Sequence, residues 1–178
     1  MTLRYLMTTL LALSLAVLGP AADAAPTSKR DPDDTQGRLD LQRVALRSPG
    51  QRIVATITTY AAFTRDDLDN ANSFELHFKV APQRTRRVLI QWLGDGLVAT
   101  VCTRRESSPV SSNCSDVRVK RVGPSAVRVV IPRAKIARGA KAYRWRATST
   151  AWTRTAGCTT APSCEVLLPG RGYLRWRP

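Results

Sequence analysis

The chain of 178 residues has one histidine, His77, and two methionines, Met1 and Met7. A single imidazole rules out any two-histidine metal site, and a Ser-His-Asp triad would have to be built on His77. The sequence contains no C-x-x-C pair, no glycine-rich phosphate loop and no nucleophile elbow. Acidic residues are scarce, with 13 Asp and Glu against 28 Lys and Arg, for a net charge of +15. The carboxylates Glu75, Asp95, Glu106, Asp116 and Glu165 stand at strand or turn positions, with none of the spacing expected of a glycosidase pair. Aromatic residues make up only 6%. No long amphipathic helical pattern and no internal repeat is present, which removes the crossover helices that an α/β plan needs. These gaps point away from an enzyme.

What is present begins with an export signal. Arg4 precedes an apolar run from Leu6 to Leu18, too short to span a bilayer comfortably. Gly19 and Pro20 break it, and Ala22-Asp23-Ala24 supplies the small residues of a cleavage site, so residues 1–24 read as a signal peptide. No cysteine stands near the site, which excludes a lipoprotein anchor. The expectation is a secreted, extracellular protein with no transmembrane anchor after cleavage. Removing this segment takes away one base, Arg4, and one acid, Asp23, and leaves the net charge unchanged. Residues 25–37 are polar, contain two prolines and read as a flexible leader. Residues 38–168 read as one domain, and 169–178 as a basic tail.

The four cysteines fit an oxidising compartment. They allow three pairings, of which the local one, Cys102 with Cys114 and Cys158 with Cys164, is the simplest because each bond clips one hairpin loop. Closing loops of these lengths is worth about 3 and about 2 kcal/mol. Neither spacing is that of structural zinc.

From Arg38 onward short β-rich runs alternate with turn signals, the pattern of a sandwich or barrel. The runs are 39–47, 52–61, 73–80, 86–93, 97–104, 116–122, 126–131, 141–153 and 165–168. The run 73–80 sends Phe74, Leu76, Phe78 and Val80 one way and Glu75, His77 and Lys79 the other, so one face meets the core and His77 faces water. Ser48-Pro49-Gly50-Gln51 is a turn, and Gly94-Asp95-Gly96 is a hairpin tip in which Asp-Gly supplies positive φ. Residues 132–138 read as a single helical turn. The fold expected is an all-β, antiparallel sandwich of about nine strands, jelly-roll or immunoglobulin-like, with two hairpin-clipping disulfides.

Alternation also yields binding candidates. Arg118 and Lys120, Arg128, and Arg144 and Arg146 each oppose apolar neighbours on their own strands. If those strands share a sheet, the five bases form a cationic stripe suited to phosphate or sulfate groups. The competing reading is a solvated face whose charge blocks edge-to-edge aggregation, or an arginine-rich composition set by a GC-rich genome. Trp152 and Trp176 are the candidates for exposed sugar-stacking platforms, whereas Trp92, Tyr143 and Trp145 read as core. The loop carrying Asp66, Asp67 and Asp69 gathers hard oxygen ligands of the kind Ca²⁺ takes, though it lacks the EF-hand pattern. No other cofactor is expected.

Two stretches resemble a known family. The alternating strand Phe74-Glu75-Leu76-His77-Phe78, and the run Val127-Arg128-Val129-Val130-Ile131-Pro132 leading into a short helical turn, are similar to the secreted DOMON-like domains and family-nine carbohydrate-binding modules, over residues 40–168. The resemblance implies a β-sandwich with a non-catalytic binding role. No Met/His pair stands at axial positions, so no haem site is implied. The function expected is therefore a secreted, non-catalytic binding or structural domain for an anionic cell-wall polymer or glycan. Two alternatives are a protease inhibitor presenting the clipped loop 107–113 and an extracellular hydrolase using carboxylates. Nucleic acid fits poorly, because the chain is exported and has no recognition helix.

Overall fold

In the computed structural model, which describes residues 24–69, 72–105, 112–152, 156–158 and 163–178, short runs of β-branched and aromatic residues form strands wherever they alternate with polar ones. All but the last residue of the expected signal peptide lies outside the described residues, as does most of loop 107–113. The strands are β1 (Ala24–Arg30), β2 (Leu41–Ser48), β3 (Arg52–Thr59), β4 (Ser73–Ala81), β5 (Arg84–Leu93) and β6 (Gly96–Arg105). They continue as β7 (Ser112–Asp116), β8 (Arg118–Gly123), β9 (Ala126–Pro132), β10 (Tyr143–Ala151), β11 (Cys164–Leu168) and β12 (Leu174–Trp176). One helical turn, α1 (Arg133–Ile136), follows β9.

The strands form an antiparallel β-sandwich. One sheet has five strands in the order β1-β2-β3-β9-β8. The other has seven, running β11-β10-β4-β5-β6-β7, with β12 also pairing β10. The chain changes sheets between β3 and β4, between β7 and β8, and between β9 and β10. The second change is made by Val117 alone, whose N–H donates to the Ala99 carbonyl at 2.9 Å.

Between the sheets lies one apolar core. The five-stranded sheet contributes Val44, Leu46, Ile53, Ile57, Val129 and Ile131, and the seven-stranded sheet Phe74, Leu76, Phe78, Ile90, Tyr143 and Trp145. Aromatic edges meet aromatic faces within it, Phe63 on Phe74 and Phe78 on Tyr143. Both local disulfides are present, Cys102–Cys114 tying β6 to β7 and Cys158–Cys164 closing the loop before β11.

Each of the nine expected runs is a strand, and the expected helical turn is α1. Three strands are additional. The leader, expected to be flexible, carries β1, paired along β2 with Ser28 across from Ala45 and Arg30 across from Arg43. The tail carries β12, and the clipped hairpin carries β7. The hairpin tip also differs from expectation. Leu93 pairs with Gly96, and the left-handed residue is Gly94, at φ 56°, so the two-residue loop is Gly94-Asp95.

Candidate functional site

The five bases expected to form one stripe divide between two sheets. Arg118, Lys120 and Arg128 lie on the outer face of the five-stranded sheet, on β8 and β9, while Arg144 and Arg146 lie on β10 of the other sheet. The stripe as expected does not exist, because alternation fixes which way a side chain points but not which layer its strand joins.

The five-stranded sheet has other bases in their place. Inward-facing Val44, Leu46, Ile53 and Val129 turn Arg43, Arg47, Arg52 and Arg128 outward. None of the five strands contains an Asp or Glu. Register sets these residues in rows. One row runs Arg47, Val54, Val130, Arg118, and the next runs Ala45, Thr56, Arg128, Lys120. Lys120 therefore stands directly opposite Arg128, a like-charge pairing that destabilises a sheet by a few tenths of a kcal/mol or more. Arg52, Arg118, Lys120 and Arg128, with Val119 and Val130, line a cleft of 340 Å³. The Arg128 Nε is buried there without a hydrogen-bond partner. Among the described residues none of these four bases makes an ion pair. Arg121, on the same strand as Arg118, is engaged elsewhere: it donates to the carbonyls of Phe63 and Pro124 and lies over the Phe63 ring.

The outer face of the seven-stranded sheet is chemically different. His77 lies on the expected face but is only 5% exposed, which corrects the reading of it as a solvated side chain. Arg87 and Arg146 flank it on the neighbouring strands. Its Nε2 lies 3.1 Å from Glu75 Oε2 and 3.1 Å from Thr148 Oγ1. Arg87 clasps the same carboxylate with Nε and a terminal nitrogen. Burial raises the Glu75 carboxyl, but hydrogen bonds from His77 and Arg87 and the Arg87 charge outweigh it and hold it at about 2. Glu75 and Thr148 meet the same ring nitrogen. A nucleophile relay needs the orienting carboxylate on the other nitrogen, an arrangement these three residues do not make; they form a clamp across β4 and β10. Arg146 and Arg144 reach the Tyr173 ring, at 5.0 and 5.9 Å from its centroid. They are occupied by cation–π contact.

The two tryptophans part company. Trp152 is 55% exposed at the end of β10, its backbone N–H donating to Asn72 Oδ1. Trp176 is 3% exposed, tilted against Tyr143, with its Nε1 donating to the Ala25 carbonyl. The expected stacking role for Trp176 is therefore withdrawn: β12 folds back along β10 and carries the ring into the core. The two indoles also stand at opposite ends of β10, about 30 Å apart for a strand of that length.

The loop of Asp66, Asp67 and Asp69 does not assemble a three-carboxylate group. Asp67 is buried, and its Oδ2 accepts from the Thr64 N–H at 2.6 Å, the Thr64 hydroxyl at 2.8 Å and Arg38 at 3.4 Å, a turn-forming role. Asp66 is exposed. Among the described residues the acidic groups that converge are instead Asp31, Asp34 and Asp40. Burial, then the charges of Asp33, Asp31 and Asp34 against one N–H from Thr35, push the Asp40 carboxyl up to about 6. Sequence reasoning misses this group because two of its members lie in the segment that reads as a flexible leader.

Comparison of the chain with protein-family models, with curated proteins and with solved structures returns no match.

Proposed function

We propose that this is an exported, non-catalytic binding domain that docks an anionic polymer of the cell envelope on the outer face of its five-stranded sheet. The observation that carries the reading is the placement of Lys120 across from Arg128 on a sheet whose five strands hold no carboxylate. Like charges facing each other cost stability, and a polyanion bound across the rows would relieve that cost. The cleft combines guanidinium forks with a valine floor, a pairing suited to phosphate, sulfate or uronate groups on a carbon chain. Two disulfides fit an oxidising compartment, in keeping with export. The resemblance to secreted binding modules points the same way.

The test is co-sedimentation with purified anionic wall polymer. The parent protein should pellet with it, and the double variant Arg118→Glu, Lys120→Glu should lose affinity by tenfold or more, since two cations become two anions in the proposed contact. Both side chains are exposed, so the fold should be retained. Equal sedimentation of parent and variant would remove the proposal. Trp152, exposed at 55%, supports one second reading, a neutral glycan held by stacking. That reading is favoured if binding persists in high salt and fails in Trp152→Ala.

A further inference from the structure

In a protein of net charge +15, three of the few acidic side chains meet at one spot. Asp31 follows β1, Asp34 sits in the turn beyond it, and Asp40 immediately precedes β2. One carboxylate oxygen from each lies within 4.8 Å of the others. Among the described residues none of the three is paired with a base. The cluster alone would be an ordinary acidic turn. A second observation distinguishes it. Asp40 is 2% exposed, and its Oδ1 is buried with no hydrogen-bond partner, while its Oδ2 has only a long 3.5 Å contact from the Thr35 N–H. A buried carboxylate with one long donor contact is costly, and the cost is met either by a proton or by a cation that reaches it.

The loop is also fixed in place. Tyr60 spans it, its hydroxyl donating to the Asp31 carbonyl at 2.5 Å and its N–H to the Asp40 carbonyl at 3.1 Å. Beside Asp34 and Tyr60 opens a cleft of 530 Å³ through which water can complete a coordination shell. We propose that Asp31, Asp34 and Asp40 bind one Ca²⁺ ion, with Asp40 as the buried anchor. The donors are all hard oxygens, as that ion takes. Mg²⁺ demands a near-ideal octahedron and gives up its water reluctantly, so a loop of three carboxylates favours the larger, more adaptable ion. The site is separate from the cationic face and independent of the reading proposed for it.

Calorimetric titration of CaCl₂ into the full folded chain, stripped with EGTA and free of polyanion, tests the proposal. The parent should take up one Ca²⁺ below about 1 mM, the range of extracellular modules, and MgCl₂ should bind more weakly by about tenfold. Asp34→Asn and Asp31→Asn should each weaken Ca²⁺ by about tenfold or more, and Asp66→Asn should leave it unchanged. Asp34 is exposed, so Asp34→Asn should melt in EGTA at or above the parent temperature. The loss is then one of ligation and not of folding. A parent that takes up no Ca²⁺ up to about 1 mM overturns the site, as does uptake that survives both variants or that follows Asp66 instead.

Discussion

Single positions decide several features of this protein, and Gly37 is the clearest. Its φ is +117°, a region that side chains rarely enter, and a Cβ there would stand 3.0 Å from the Ala156 carbonyl oxygen. The close approach is what lets the Arg38 N–H donate to that same carbonyl at 2.7 Å, joining the start of the domain to the loop before Cys158. Gly37→Ala should destabilise the fold by about 1–3 kcal/mol, read as a lower denaturant midpoint at unchanged slope. Sequence reasoning does not reach such a position. A glycine next to a polar segment looks like a linker until the opposing backbone is in place. The same holds for Trp176, which reads as exposed on a basic tail and is a core residue. Cysteine pairing was legible because the short spacings within 102–114 and 158–164 each match one local loop.

Elements were readable in proportion to their own alternation. The β4 run, with Phe74, Leu76 and Phe78 on one side, specifies its strand unaided. By contrast β7 is Ser-Asn-Cys-Ser-Asp, exposed throughout, and β12 is three residues long. Both, like β1, exist because a neighbouring edge offers its backbone groups, which is a property of the partner strand and not of the segment itself. Glu75, His77 and Thr148 show how neighbouring elements bury polar residues on an outer face. Here β4, β5 and β10 supply a carboxylate, its guanidinium partner Arg87, the imidazole and the hydroxyl, with Arg146 beside them. Since the folded Glu75 carboxyl sits near 2 and its usual value is 4.5, the folded state holds fewer protons between those values. The stability from this clamp is present above pH 4.5 and is lost as pH falls toward 2, by about 3 kcal/mol in all. Glu75→Gln should flatten that part of the curve when unfolding is followed by denaturant titration from pH 5 to pH 2.

Across the whole molecule the charge is unevenly shared. On the five-stranded sheet the outer bases stand on strands that hold no carboxylate, whereas on the other sheet Arg87 is taken by Glu75, and Arg144 and Arg146 lie against the Tyr173 ring. Composition gave the sign and size of the charge, but sheet membership decides where it acts, and β9 sits beside β3 while β10 sits beside β4. If the proposed polymer docks on the cationic face, log affinity should fall linearly with log salt. The slope should drop by about two when Arg118 and Lys120 become Gln, one unit for each cation withdrawn from the bound polyanion. A slope that does not change would place the binding surface elsewhere.

Val117 is the entire passage from β7 to β8. Substituents on a pleated chain come with a period of two, so the turn that sets Gly123 opposite Ala126 fixes which way every β8 side chain points. Were β8 to slide one residue along β9, Arg118 and Lys120 would turn toward the oily interior and Val119 toward the solvent, while the arginines of β2, β3 and β9 kept their aspect. A corner of one residue leaves little slack for such a slip.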